Sequence, residues 1–340
     1  MATEVTRPAT PASTAWPTVV AVAAVAGWSL VLLTAAPLLL TARLLLLLPG
    51  LPAALRAQVR LTLLAGAYLA TVEIPALLAL RRGPAQGTGA LLRRVLGRFY
   101  GSGLALAGLR LSCAHPPELG DRPVIVLARH AGVFNSPLVL HLVASQLGRT
   151  PHTIAKRSAA LTPGTRRLYR ASRVAFFDFG RQTGKVAALL HLKRLASTAE
   201  PSDAIVIFPE GANYSAARRR RLIAALGADG HTQLAGQATR MRHTLHPHPG
   251  GVRFTAAHAP HADIVILAHT GLEDLLAGWG RIDYPITTDG IVHVAWWHIP
   301  SRDIPRAPEA FAAWLGERWL AADRWIGSVR AETTGNHAWN

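Results

Sequence analysis

The chain has 340 residues and half of them are hydrophobic, which is enough to bury a full core and too apolar for intrinsic disorder. Lysine and arginine number 36 against 19 aspartates and glutamates, so the formal charge is +17 and the expected partner is anionic, either nucleic acid or a lipid surface. The single cysteine, Cys113, excludes an internal disulfide framework and a metal site built from several cysteines.

The N-terminal region predicts a short leader followed by a membrane anchor. Residues 1–17 are rich in alanine, threonine and proline, and we expect them to be disordered. Residues 19–42 carry no charge and are long enough to cross the hydrocarbon layer as a helix. A second apolar run, residues 61–80, contains Glu73, so it is either a second spanning helix or a buried or interfacial one. We therefore assign residues 18–82 to an anchor of one or two hydrophobic helices.

Arginines flank the two apolar runs and indicate the orientation of the anchor. By the positive-inside rule they place the bulk of the protein on the cytoplasmic side of the cell membrane. A membrane anchor favours membrane phospholipid over nucleic acid as the anionic partner, since the sequence has no basic and aromatic motif for nucleic acid. These arginines are Arg43, Arg56, Arg60, Arg81, Arg82, Arg93, Arg94 and Arg98.

Short β-branched runs alternate with helical patterns from residue 90 to residue 330. The alternation predicts an α/β fold, with a mostly parallel central sheet flanked by helices, followed by a tail at 331–340. The predicted strands are 124–128, 152–155, 174–177, 204–208, 264–268 and 291–296, and the predicted helices include 136–147, 185–196 and 308–326.

Two predicted strands end in polar sequences. The run "VIVLA" leads into Arg129 and His130, and "AIVIF" leads into "PEGANYS", which contains Glu210. Functional groups of parallel sheets lie on the loops that leave the carboxyl ends of the strands. We therefore expect His130 and Glu210 to meet at one edge of the sheet.

Four stretches carry a family resemblance. "RHAGVFNS", "FPEGANYS", "MRHTLHPHPGG" and "HADIVILAHTGLEDL" resemble the glycerophospholipid acyltransferases, the lysophosphatidate (1-acylglycerol-3-phosphate) acyltransferases, whose signatures are His-(x)4-Asp and Phe-Pro-Glu-Gly. The resemblance extends from about residue 123 to about residue 326. It implies a membrane-bound enzyme that moves an acyl group from coenzyme A or acyl carrier protein to the hydroxyl of a lysophospholipid. It implies no metal or cofactor, with the acyl thioester as co-substrate.

The resemblance makes His130 the general base and exposes one departure from the family pattern. The acidic partner of the histidine is replaced by Asn135. An asparagine oxygen can orient the imidazole, but it cannot supply a negative charge. Two hypotheses stay open: a working acyltransferase, and a catalytically degenerate homologue that binds lipid.

The resemblance also implies a set of residues that bind the acceptor. In the family the Phe-Pro-Glu-Gly loop binds the glycerol phosphate, and an arginine often follows the loop where this chain has asparagine. The phosphate then needs cations from elsewhere, and the four arginines at 218–221, at the start of the next predicted helix, could supply them. A solvent-exposed arginine face explains these four residues equally well. The expected binding residues are Arg129, Arg181, Phe208, Pro209, Glu210, Gly211, Asn213, Arg218 and Arg219.

Overall fold

The computed structural model describes residues 15–79, 88–156, 162–171, 174–279 and 290–335. Over these ranges a helical N-terminal region precedes an α/β domain, which confirms the predicted fold class. The predicted leader falls almost wholly outside the described residues. The predicted tail starts too early, because the last helix, Pro308–Gly335, runs through its first five residues.

The secondary structure elements are numbered in chain order. The helices are α1 (Ala15–Leu45), α2 (Ala53–Tyr68), α3 (Ile74–Ala79), α4 (Thr88–Arg98), α5 (Leu104–Leu106), α6 (Asn135–Ser145), α7 (Pro163–Ala171), α8 (Gln182–Ser197), α9 (Ala216–Ala228), α10 (Thr232–Arg240), α11 (Pro249–His258) and α12 (Pro308–Gly335). The strands are β1 (Arg110–Cys113), β2 (Val124–Ala128), β3 (Thr150–Lys156), β4 (Val174–Phe177), β5 (Asp203–Ile207), β6 (Asp263–Thr270) and β7 (Ile291–Ile299). Two π-helical turns (Leu69–Glu73 and Phe99–Gly103) and two 3-10 turns (Glu273–Trp279 and Ser301–Asp303) complete the list.

Two helical stretches near the N-terminus are long and apolar enough to cross a membrane. In the apolar 18-residue window of the first, Val19–Leu45, only 6% of the residues are buried, and side chains such as Leu33 and Leu40 are largely exposed. In the corresponding window of the second, Ala53–Ala79, 44% are buried, because α2 and α3 pack against the rest of the protein. The two stretches therefore differ: α1 presents apolar surface on nearly all sides, and the second stretch presents it on one side only.

Glu73 explains why a carboxylate lies in the second apolar stretch. The side chain is fully buried, and its oxygens accept the backbone N–H groups of Gly164 (2.6 Å) and Thr165 (2.9 Å) and the hydroxyl of Thr162 (2.7 Å). These groups form the first turn of α7, where unpaired N–H groups and the helix dipole favour a negative charge. The glutamate thus fastens the N-terminal helices to the α/β domain.

The described strands form one seven-stranded sheet in the order β1-β7-β6-β2-β5-β3-β4. Every neighbouring pair is parallel except β6 and β7. The carboxyl ends of β6, β2, β5, β3 and β4 therefore lie along the same edge. Strand β2 is central, between β5 and β6, and all five of its residues are buried.

Alternate residues of β2 belong to two hydrophobic cores. Val124, Val126 and Ala128 pack with apolar side chains of α2, α4 and α6 on one face. Ile125 and Leu127 pack on the other face with α8, α11 and α12. A strand covered on both faces needs apolar residues at every position, which is why "VIVLA" shows no alternation. The sheet is consequently rigid at the point where the chain leaves it for His130.

Candidate active site

The structure brings the two polar motifs together at the carboxyl edge of the sheet. Strands β2 and β5 are neighbours, so the loops that follow them start side by side. The carboxyl group of Glu210 accepts the backbone N–H of His130 (2.9 Å) through one oxygen and that of Leu245 (2.8 Å) through the other. The N–H of Tyr214 donates to the carbonyl oxygen of His130 (2.6 Å). The histidine backbone is therefore held from both sides by the second motif.

Glu210 occupies an interior position rather than one that faces a ligand. It is 2% exposed, and both of its oxygens are used by backbone N–H groups. Burial raises the pKa of Glu210 to about 8, against the lowering effect of Arg129 and of the two hydrogen bonds. The expected direct contact of Glu210 with a phosphate is thus replaced by a role in fixing the His130 loop.

His130 and Asn135 form a hydrogen-bonded pair whose polarity is fixed by a third group. His130 Nδ1 lies 2.7 Å from Asn135 Oδ1, and Asn135 Nδ2 donates to the carbonyl oxygen of Gly132 at 2.6 Å. A carbonyl oxygen only accepts, so the amide nitrogen of Asn135 must face Gly132 and the amide oxygen must face the histidine. Nδ1 therefore carries the proton, and Nε2 of the partly exposed ring is the basic nitrogen.

Gly132 is required where the catalytic loop passes a neighbouring turn. Its φ of 80° lies in the left-handed region, and an added Cβ would lie 2.4 Å from the carbonyl carbon of Leu272. Its carbonyl oxygen also accepts Nδ2 of Asn213 at 3.0 Å. Asn213, which stands where the family often has an arginine, thus links the second motif to the same carbonyl that orients Asn135.

The surroundings of His130 favour its neutral form. Burial lowers the pKa of His130 first, and the positive charges of Arg218 and Lys156 lower it further, while the hydrogen bond to Asn135 raises it. The ring of Phe208 packs against the imidazole, with ring centroids 4.8 Å apart. A neutral imidazole with Nε2 unprotonated is the form that can accept a proton at neutral pH.

Lys156 is a candidate site residue that motif reasoning did not identify. It is the last residue of β3, at the same edge of the sheet as His130, and its side chain is exposed. The only signal in the sequence is its place directly after the predicted strand 152–155, since no motif marks it. Together with Arg218 it supplies positive charge near His130.

Arg129 lies inside the protein and not in the site. It is 1% exposed, and its guanidinium donates to Glu273 (2.8 Å) and to the carbonyl oxygens of His243 and His269. Glu273 in turn pairs with Arg330. Because the guanidinium is enclosed by these acceptors, the expected contact of Arg129 with the substrate is corrected to a structural role.

The other predicted cations have different surroundings. Arg219 is held by the carbonyl oxygens of Met241 and Thr239, which assigns it to packing α9 on α10. Arg218 is exposed and donates to the carbonyl oxygen of Asn213 at 2.7 Å, so it lies beside the second motif. Arg181 is highly exposed on the loop before α8, where it approaches Asp178 at 3.7 Å.

The remaining residues of the second motif shape the loop. Pro209 is buried, and its carbonyl oxygen accepts the backbone N–H of His248 (2.8 Å). Gly211 is exposed with a φ of 67°, a conformation that side chains disfavour. Asp178 accepts the N–H of Gly180 and contacts Arg181.

Comparisons with known proteins find one family model that spans both motifs. Residues 113–270, which contain His130 and Glu210, match the family model described as Acyltransferase. A comparison with curated protein sequences finds no match. Among solved structures the chain is similar to the crystal structure of the 1-acyl-sn-glycerophosphate (LPA) acyltransferase PlsC from Thermotoga maritima. The TM-score is 0.53 at 16% identity, and the alignment covers 81% of this chain and 95% of that one. At this identity the likeness establishes a shared fold.

Proposed function

Since residues 113–270 match the acyltransferase family model, we propose that this protein transfers a fatty acyl group from a thioester to the free hydroxyl of a lysophospholipid. The observation that carries the proposal is the His130–Asn135 pair. Its geometry leaves Nε2 unprotonated on a partly exposed imidazole at the carboxyl edge of the sheet. That nitrogen is the one group of the pair that can take a proton from an alcohol.

The proposed reaction needs one base and no covalent intermediate on the protein. Nε2 of His130 takes the hydroxyl proton as the hydroxyl oxygen attacks the thioester carbonyl carbon. The carbon–sulfur bond then breaks, and the leaving thiolate takes the proton from the imidazolium. The products are an ester and a free thiol, and His130 returns to its neutral form. The donor is an acyl thioester of coenzyme A or of acyl carrier protein.

Asn135 is proposed to select the tautomer of His130 without adding charge. In a serine protease the change from aspartate to asparagine lowers turnover by about ten thousandfold, mainly because the histidine takes the wrong tautomer. Here the carbonyl oxygen of Gly132 prevents that error, because it holds the asparagine amide in the orientation that keeps the proton on Nδ1. This geometry supports activity over the alternative of a degenerate lipid-binding homologue.

Two cations support a phosphate-bearing acceptor such as lysophosphatidate. Lys156 and Arg218 are exposed, and both act electrostatically on His130. A phosphate bound between them would offset their charge and bring the acceptor hydroxyl towards the imidazole. The Thermotoga maritima enzyme is a 1-acyl-sn-glycerophosphate acyltransferase, and the fold that it shares with this chain supports an acceptor of the same class.

The apolar surface of α1 supports catalysis at a membrane. An exposed helix of this composition is stable only in an apolar environment, and lysophospholipids are delivered by bilayers. The arginines that flank the apolar stretches support a cytoplasmic position for the α/β domain in the cell membrane.

The test is thioester consumption by the purified full-length protein in detergent micelles. Palmitoyl-coenzyme A and palmitoyl-acyl carrier protein are offered with lysophosphatidate or with lysophosphatidylcholine. We expect turnover with lysophosphatidate and its loss, by at least about a hundredfold, in His130→Gln, which keeps a polar side chain without a basic nitrogen. Equal turnover in His130→Gln would reject His130 as the base. Absence of turnover with every acceptor, alongside retained binding of lysophosphatidate, would favour the lipid-binding homologue.

A matched pair of variants tests the phosphate site. Lys156→Met and Arg218→Met should raise KM for lysophosphatidate and leave kcat within about threefold, since they bind a part of the acceptor that does not react. Arg181→Met is the control, because Arg181 lies on a different loop beside Asp178. A larger effect of Arg181→Met than of the other two would move the phosphate to the α8 side of the site.

A further inference from the structure

The residue before Asn135 has an unusual backbone conformation. Phe134 has φ 57° and ψ 10°, and among the described residues it is the one residue other than glycine with a positive φ. A side chain in the left-handed region strains the backbone, because Cβ then crowds the following carbonyl oxygen. Such strain persists only where surrounding contacts enforce it. Phe134 is also the residue that turns the chain into α6, so its conformation sets the direction of the Asn135 side chain.

A hydroxyl from outside the two motifs holds this residue. Tyr100 Oη donates to the carbonyl oxygen of Phe134 at 2.6 Å. Tyr100 belongs to the π-helical turn Phe99–Gly103 and is 4% exposed. Burial raises the pKa of Tyr100 well above its ordinary value, so the hydroxyl is protonated and available as a donor at neutral pH.

Aromatic rings fix the same residue from the side. The ring of Phe134 lies 5.1 Å from that of Tyr68 and 5.2 Å from that of Phe99, measured between centroids. Tyr100 itself is placed by Phe99 (4.9 Å) and by a stacked contact with His141 of α6 (5.2 Å). Tyr68 lies at the end of α2, so the contacts that surround Phe134 come from the N-terminal helices and α6.

We propose that Tyr100 is a positioning residue for the His130–Asn135 pair: its hydroxyl holds Phe134 in the left-handed conformation that aims Asn135 Oδ1 at His130 Nδ1. The kinetic part of this inference rests on the proposed function, whereas the tautomer of His130 does not. Without the hydroxyl, the partner that the described residues leave to the Phe134 carbonyl is the N–H of Leu138 at 3.1 Å, and an extended conformation that moves Asn135 becomes available.

The test is Tyr100→Phe, which removes one oxygen and keeps the ring. Tyr169→Phe is the matched control, because Tyr169 is buried in the same core and its ring packs against Phe176 of β4. In Tyr100→Phe we expect kcat to fall about tenfold with KM within about twofold, since tenfold corresponds to about 1.4 kcal/mol, near the net value of one hydrogen bond. Tyr169→Phe should leave both constants unchanged.

A second measurement separates positioning from general loss of structure. Nitrogen-15 NMR of the labelled protein reports which imidazole nitrogen of His130 carries the proton, with the signal assigned by its disappearance in His130→Gln. We expect the native protein and Tyr169→Phe to hold the proton on Nδ1, and Tyr100→Phe to show a mixture of tautomers. In a Phe134→Gly background, where the left-handed conformation is unstrained, Tyr100→Phe should lower kcat by less than about threefold.

The outcomes distinguish this inference from the proposed function. An unchanged His130 tautomer in Tyr100→Phe overturns the positioning role, whatever happens to kcat. A mixed tautomer in that variant supports the positioning role even if the native protein acylates no acceptor, and that second result would count against the proposed function alone. Equal losses of kcat on Tyr100→Phe in the native and Phe134→Gly backgrounds would also overturn the positioning role.

Discussion

Replacement of Asn135 by aspartate restores the family pattern, yet the structure predicts no gain in turnover. A carboxylate facing His130 Nδ1 strengthens that hydrogen bond by about 1 kcal/mol, because a charge-assisted bond is about twice as strong as a neutral one. The second oxygen of the carboxylate, however, takes the place of Nδ2, which now lies 2.6 Å from the Gly132 carbonyl oxygen. Two acceptors would then face each other. The Gly132 carbonyl would keep the amide of Asn213, but the loss of the bond from residue 135 and the unpaired carboxylate oxygen facing it cost about 1–3 kcal/mol.

The two effects sum to a change between zero and a loss of about 2 kcal/mol, so turnover of Asn135→Asp should be unchanged to about thirtyfold lower. The assay is initial-rate thioester consumption with lysophosphatidate at pH 8, where the lowered pKa keeps His130 of the native protein neutral, together with the thermal unfolding midpoint. Asn135→Leu, which has neither polar atom, is the control and should lose about a hundredfold or more. A tenfold or larger gain in Asn135→Asp at unchanged stability would refute this reasoning and identify the asparagine as a degenerate substitution.

Three further predictions follow from the same contacts. Since only neutral His130 is a base and its pKa is lowered, activity should persist below pH 6.5 and be lost as pH falls through the lowered pKa. Lys156→Met removes a positive charge that repels the imidazolium, so the acid limb of kcat/KM should move to higher pH. Movement of that limb to lower pH would contradict the assignment. Glu273→Gln removes the negative charge that faces the buried guanidinium groups of Arg129 and Arg330, and it should lower the free energy of unfolding in urea by about 3–5 kcal/mol. A loss under about 1 kcal/mol would mean that these ion pairs behave like pairs on the surface. Gly132→Ala places a methyl group against the backbone of Leu272 at positive φ and should lower turnover at least about tenfold, and native turnover would show that the loop is free to move.

Much of the fold follows from patterns local in the sequence. The five apolar residues of β2 indicate a strand buried on both faces, and the structure places it in the middle of the sheet. The long uncharged run near the N-terminus predicts an apolar helix, and α1 has that length and exposure. The second apolar run is different, because its glutamate meets the start of α7, a contact between residues about ninety positions apart.

The motifs predicted only part of the candidate site. His130 and Asn135 are five positions apart, and their spacing alone places them on one turn, where they bond. The roles of the arginines could not be predicted, because the charge of a side chain and its position in the sequence do not determine whether it is buried. Arg129 proved to be enclosed by Glu273 and backbone carbonyls, whereas Lys156, which no motif marks, lies exposed at the edge of the site.

The sequence by itself determined the main elements and functional groups: an apolar helix, a central strand and an imidazole with an amide partner. The tertiary structure decided how that chemistry is arranged, through the Gly132 carbonyl that orients Asn135 and the Tyr100 hydroxyl that holds Phe134. The physical reason is the distance along the sequence over which each effect acts. Periodicity and spacing act between neighbours along the chain, whereas desolvation and hydrogen-bond direction depend on groups that only folding brings within 3 Å of one another.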